Sequence, residues 1–341
     1  MPLLSGRPVY VLKTGMYVPE RILSNQDLEK MVETTDEWIV ERTGIRTRHI
    51  AAPGELTSDL AHAAGTAALA ASNIDPEKLD MVLVATNSPD TVFPGVAAKV
   101  QGRLKAIHAG AADIQSGCTG CVYALAMAAA GISSGLWNTV LVVGAEVLSS
   151  LIDWQDRNTC VLFGDGAGAV VLSSDPAGSV ARILASDLRS DGTRHDLICF
   201  PGGLVENPAS PKTLEENLHK VQMKGNEVFK FVNQALPGFL HDSCKTAGLD
   251  AQVIDWWIFH QANLRIIDSV LKRLGVDPAK SIVNLERYGN TSAASVFLAL
   301  HEALSDGRLG PSQKVLLTSF GAGMTYGDLI LEMQGESHEE A

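Results

Sequence analysis

Cys118 follows Ser-Gly in the run DIQSGCTGCVYALAMAAAG (residues 113–131), and Cys121 follows three residues later. Two thiols at this spacing could be a redox pair, a metal site, inert packing or a nucleophile and its neighbour. A cycling disulfide needs access, yet the segment after Cys118 is apolar or small on every side. A metal needs further ligands at suitable spacing, and the chain has no second C-x-x-C and no H-x-x-x-H. Cys121 reads as a small apolar packer. Cys118 stands at the expected N-terminus of a helix, where the positive end of the dipole and unpaired N–H groups favour thiolate. Gly117 and Gly120 permit a tight turn and the close approach of a ligand.

A nucleophile needs partners. His260 ends the apolar run DWWIFHQ (255–261). Asn290 lies in the turn NLERYGNTSAAS (284–295), just before another helical stretch. Taken singly, such a His is usually a hydrogen-bonded structural residue and such an Asn a turn or cap residue. Together with Cys118 they make a constellation.

The elements that must position these residues are legible as apolar runs. Strands are expected at 80–86, 139–146, 167–173, 255–261, 314–320 and 327–333. Helices are expected at 57–72, 119–134, 226–247, 264–274 and 292–304. The alternation predicts an α/β protein with sheets covered on both faces. The chain also repeats itself. NIDPEKLDMVLVATNS (73–88) lies without a gap over GLDAQVIDWWIFHQAN (248–263), a shift of 175 residues. The same shift carries Val140 onto Val315, Cys118 onto Ala293 and Gln115 onto Asn290. FGDGAGAVVL has a loose counterpart in FGAGMTYGDLIL. The expected division is residues 1–176, holding the cysteine, and residues 177–341, holding the histidine and the asparagine. The join falls at the turn-forming SSDPAG. Helix 119–134, apolar nearly all round, belongs in the centre, with 292–304 as its mate.

Bulk properties narrow the class. The 341 residues are 46% hydrophobic and 19% charged, which is globular and large enough for two packed halves. A net charge of −12 argues against general nucleic-acid binding. No run is long and apolar enough to span a membrane. Five cysteines without a dense, even framework fit a reducing compartment, so a soluble cytoplasmic protein is expected.

DEWIVERTGIRTRHI (36–50), CTGCVYAL (118–125), FGDGAGA (163–169), HQANLRI (260–266), GNTSAAS (289–295) and FGAG (320–323) resemble, in order, the β-ketoacyl-acyl carrier protein synthase III family. The resemblance runs from about residue 9 to 333. It implies a thiolase-like fold, a five-layered αβαβα duplication, usually as a homodimer. It implies decarboxylative condensation of an acyl-coenzyme A starter with malonyl-acyl carrier protein, through an acyl-cysteine. Both thioesters are substrates, and no metal or redox cofactor is implied. Cys118, His260 and Asn290 match the catalytic triad. Trp38, Arg42 and Arg157 match coenzyme A contacts, and Phe93 matches a residue shaping the acyl pocket across the dimer interface. Lys230, Arg265 and the adjoining Gln261, Ala262, Asn263 and Leu264 match positions at the tunnel mouth, where the acidic carrier protein would dock. One departure is Cys121, where the family often has an aromatic. The runner-up readings are a related acyltransferase or condensing enzyme of a specialised, polyketide-like pathway, and a folded subunit that only binds an acyl carrier.

Overall fold

The computed structural model describes residues 6–335. Its strands in the N-terminal part are β1 (Tyr10–Tyr17), β2 (Arg21–Ser24), β3 (Thr47–Ile50), β4 (Met81–Ala85), β5 (Gly110–Ile114), β6 (Thr139–Glu146) and β7 (Gly166–Ser173). The C-terminal part adds β8 (Ala181–Ser190), β9 (Ile198–Cys199), β10 (Gln222–Met223), β11 (Trp256–Phe259), β12 (Ser281–Ile282), β13 (Lys314–Gly321) and β14 (Thr325–Met333). Ten strands form one sheet in the order β12-β11-β13-β14-β8-β1-β7-β6-β4-β5. Read outward from the central β1–β8 pair, the two halves have the same order and the same directions. On one side β1, β7 and β6 are antiparallel neighbours, and β4 and β5 then run parallel to β6. On the other side β8, β14 and β13 are antiparallel, and β11 and β12 run parallel to β13. The halves join where β1 and β8 meet, at Tyr10–Arg182 and Val11–Ala181.

The helices are α1 (Asn25–Leu28), α2 (Asp36–Thr43), α3 (Thr57–Ser72), α4 (Val96–Leu104), α5 (Gly120–Ser133), α6 (Pro211–Glu215), α7 (Gly225–Thr246), α8 (Leu264–Leu274), α9 (Leu285–Tyr288) and α10 (Ser295–Ser305). They sort into layers by the period-2 alternation of the strands. Val140 and Val142 of β6 face a central core with α5 and α10, while Leu141 and Val143 face an outer core with α3 and α4. In β13, Val315 and Leu317 point to the centre, and Leu316 points to α7 and α8. The stack is therefore α3/α4, sheet, α5/α10, sheet, α7/α8, the five-layered arrangement the resemblance implies. The middle helices are buried on most sides: α5 is mainly small or apolar residues, and α10 buries the run Ser295–Leu300.

Each strand and helix expected from the sequence is present, but four of the ten strands in the large sheet, β1, β5, β8 and the two-residue β12, and the outer helix α4 are not among those expected. β1, β5 and β8 carry polar or small residues that dilute the apolar signal; YVLKTGMY and ARILASDLRS are examples. Helix 292–304 begins as a 3-10 turn, Ser292–Ala294, before α10. Helix 119–134 begins at Gly120 with Thr119 as its cap, so Cys118 sits in the turn ahead of it.

Arg48 ties the β2–β3 hairpin to the site. It is fully buried, and no carboxylate is among its hydrogen-bond partners. Its guanidinium donates to Leu23 O, Asn25 Oδ1 (2.8 Å) and Val161 O (2.8 Å), and burial pulls its pKa down to about 10. The segment after Val161 pairs with the backbone of Asn290 at Phe163, so this anchor supports the Asn290 turn. Arg48→Met is expected to cost about 1–3 kcal/mol by orphaning these buried acceptors. A thermal melt should show a lowered Tm, and an unchanged Tm would contradict the anchoring role.

Candidate active site

The two halves meet at the turn Ser116–Thr119. Gly117 has φ +57°, the left-handed region, and a Cβ there would lie 2.3 Å from Ala322 N. A Cβ on Gly321 would lie 2.3 Å from Cys118 N. The FGAG segment thus packs backbone against backbone on the cysteine turn. Side chains of the C-terminal half pin it: Ser319 Oγ donates to Cys118 O (2.8 Å) and Thr325 Oγ1 to Ser116 O (2.9 Å). Thr119 Oγ1 donates back to Thr325 O (3.1 Å).

His260 follows β11 directly, and its N–H donates to Thr318 O of β13. The ring is buried and meets Phe320 edge-on at 5.3 Å between centroids. Nδ1 is 2.7 Å from Ser295 Oγ, which also accepts the Gln261 N–H. Nδ1 is the one acceptor bonded to the Ser295 hydroxyl among the described residues, so the hydroxyl proton is assigned to Nδ1 and the imidazole carries its own proton on Nε2. Burial drives the His260 pKa down to about 3, so the ring is neutral.

Asn290 is held by its backbone between Leu162 O (2.8 Å) and Gly164 N (3.0 Å). Its Oδ1 accepts Ser292 N–H at 2.8 Å, an Asx turn that leaves the carboxamide Nδ2 free to face the cavity. Cys118 Sγ accepts from Ser292 Oγ at 3.3 Å. Cys118, His260, Asn290 and Gly321 all line one cavity of about 1160 Å³. Burial pushes the Cys118 thiol up to about 12, against the lowering hydrogen bond from Ser292. Desolvation is the largest influence on the thiol and works against a resting thiolate.

The remaining sequence-predicted residues divide. Trp38, Arg42 and Arg157 line the same cavity, with both guanidinium carbons over the indole at 5.3 and 5.2 Å. Ala262, Asn263 and Arg265 also line it, and Arg265 is exposed. Asn263 caps α8 through Arg265 N and donates to Arg42 O. Gln261 is different: it is buried, donates to Phe259 O and Ile282 O, and accepts Asn284 N–H. Such a satisfied interior amide has no face for a docking partner, which corrects its placement at the mouth. Leu264 is half-buried against the outer core. Lys230 is exposed on α7 but does not line the cavity, whereas Lys224 does. Phe93 is 84% exposed, away from this chain's cavity lining. Cys121 packs in the central core, and all five cysteines are free. Its effect on the site is through packing, because it does not line the cavity. Sequence reasoning missed Ser292, which touches the sulfur, and Asn87 and Glu146 bonded in line behind it; an acid ending the apolar strand TVLVVGAE was the available signal.

Comparison with known proteins identifies the family and the fold. Residues 112–192 match the family described as 3-Oxoacyl-[acyl-carrier-protein (ACP)] synthase III, and residues 244–333 match its C-terminal part. Beta-ketoacyl-[acyl-carrier-protein] synthase III of Symbiobacterium thermophilum is 48% identical over 95% of the chain and 98% of its own length. The crystal structure of 3-oxoacyl-[acyl-carrier-protein] synthase III from Aquifex aeolicus superposes with a TM-score of 0.87 at 40% identity, over 95% of this chain and 99% of that one. The corresponding Pseudomonas aeruginosa structure gives 0.88 at 37% identity, over 96% and 99%.

The neutral, Nε2-protonated imidazole is directly measurable. In ¹⁵N-histidine NMR, the His260 nitrogens should keep the shifts of that tautomer from pH 8 down to pH 5. A titration midpoint near the ordinary histidine value of about 6.5 would contradict the assignment.

Proposed function

The chain belongs to the 3-oxoacyl-[acyl-carrier-protein] synthase III family, and from that premise we propose how its own residues divide the reaction. The fold is thiolase-like and the enzyme is a condensing acyltransferase of fatty acid synthesis. It joins an acyl-coenzyme A starter to malonyl-acyl carrier protein. The observation that carries the residue assignment is the convergence of Cys118, His260 and Asn290, from opposite halves, on one cavity.

In the first half-reaction the Cys118 sulfur attacks the acyl-coenzyme A carbonyl and loses its proton. Coenzyme A leaves as the thiol, and the acyl group remains as a thioester on Cys118. In the second, malonyl-acyl carrier protein loses carbon dioxide, and the electron pair of the broken bond forms an enolate. The enolate oxygen accepts from His260 Nε2–H and Asn290 Nδ2–H. A neutral imidazole suits this task, since it donates a hydrogen bond without having to give up a charge-balancing proton. The enolate carbon then attacks the acyl thioester. The oxyanion so formed lies by the Cys118 amide, whose surroundings the bare Gly321 keeps open. Collapse releases the ketoacyl thioester and the Cys118 thiolate, which takes up one proton. Two such donors are worth several kcal/mol, at about 3 each.

Recognition follows from charge. Four cations, Arg42, Arg157, Lys224 and Arg265, against two carboxylates, Asp156 and Glu227, line the cavity of a protein with net charge −12. A basic mouth on an acidic body steers phosphates and an acidic carrier protein to this point. Trp38 offers an indole face for the adenine once Arg157 swings aside. A second copy would cover Val92 and Phe93, adjacent apolar side chains 69% and 84% exposed. Free cysteines throughout suit a cytoplasmic setting.

Intact-mass measurement after mixing with acetyl-coenzyme A tests the assignment. The wild type should gain one acetyl group and Cys118→Ala none. An adduct on the variant would move the nucleophile elsewhere, and no adduct on the wild type with any acyl chain would favour a subunit that only binds a carrier.

A further inference from the structure

Behind Cys118 lies a chain of hydrogen bonds that the triad does not use. Ser292 Oγ donates to Sγ at 3.3 Å. Asn87 Nδ2 donates to Ser292 Oγ at 3.3 Å and to Glu146 Oε1 at 2.7 Å. Glu146 is fully buried at the end of β6. Its carboxyl accepts from the N–H groups of Asn87, Ser88 and Ala293 and from the Ser88 hydroxyl at 2.6 Å. Backbone and amide N–H groups can only donate, so this cradle is built for a carboxylate acceptor. Ser292 itself sits at φ +46°, a conformation that costs a non-glycine residue free energy. Its backbone N–H is the donor that orients Asn290. One strained residue therefore touches the sulfur with its side chain and aims the carboxamide with its backbone.

We propose that Ser292 is a further catalytic residue, the hydrogen-bond donor to the Cys118 thiolate, and that Asn87 is a positioning residue that Glu146 holds in place to direct it. The Ser292 oxygen receives the Asn87 amide hydrogen, so its own hydrogen is turned to the sulfur. A thiolate accepts that hydrogen bond far better than a thioester does. The contact therefore strengthens when sulfur carries charge: as Cys118 is deprotonated for attack, and as it is expelled from the condensation adduct. An amide cannot pass a proton on, so the chain polarises and does not carry the thiol proton to Glu146. The titratable groups around the sulfur are Glu146, whose charge opposes thiolate formation, Cys121 and the neutral His260. Ser292 offsets part of that opposition and of the desolvation.

This inference rests on Cys118 being the nucleophile, and its test separates the two claims. Iodoacetamide is reacted with the substrate-free protein from pH 6 to pH 10, and Cys118 alkylation is followed by peptide mass. Ser292→Ala should make alkylation about tenfold slower at each pH in this range, the equivalent of raising a thiol that titrates above it by about one unit. Ser292→Gly should do the same while its Tm is not lowered by backbone strain, since glycine accepts the left-handed conformation. Asn87→Ala should slow the reaction less, and should add nothing in the Ser292→Ala background. Unchanged profiles in both Ser292 variants, or an Asn87 effect equal in both backgrounds, would overturn the proposal. Wild-type Cys118 that never alkylates would instead overturn the nucleophile assignment.

Discussion

The site depends on two backbones in contact. The turn carrying Cys118 and the FGAG segment approach so closely that a Cβ on Gly117 or Gly321 would collide with main-chain atoms at 2.3 Å. Ser319 and Thr325 then bond the carbonyls of that turn. Cys118 therefore belongs to one half of the chain and is held by the other. The matching strand orders explain how this arises. Equivalent strand ends of β4 and β11, and the helix starts of α5 and α10, open toward the same place. His260 leaves one strand end, and Asn290 precedes the helix paired with that of Cys118.

Burial then sets the charges. It pushes the Cys118 thiol up to about 12 and pulls the His260 imidazole down to about 3. Both groups are neutral at rest, so no ion pair forms between them. Negative charge appears only as reaction proceeds, first on sulfur and then on oxygen. Donors fixed in advance, at His260 Nε2, Asn290 Nδ2 and Ser292 Oγ, meet it without reorganising. The second-layer hydroxyls matter for this reason. Ser295 sets the tautomer of His260, and the Ser292 amide sets the rotamer of Asn290.

Much of this was legible in the residues. Helices 57–72 and 264–274 and strand 139–146 stand where their apolar periodicity puts them. The shift of 175 residues is the same shift that separates β6 from β13. That Cys118, His260 and Asn290 share one cavity was legible from their motifs, because short local sequences set the turn, the strand end and the cap. The relay behind the sulfur was not. Asn87 and Ser292 are 205 residues apart and Asn87 and Glu146 are 59 apart, and side-chain bonds across such distances leave no periodic trace. Gln261 misled for the opposite reason: it lies in a run that borders the cavity, yet its own amide turns inward to three backbone groups.

The most direct test separates the half-reactions. Enzyme already acylated on Cys118 is mixed with malonyl-acyl carrier protein, and carbon dioxide release is timed in a single turnover. Asn290→Ala and His260→Ala should each load the acyl group normally and release carbon dioxide about 10²–10³ times more slowly than the wild type. Release at the wild-type rate in either variant would contradict a shared enolate site.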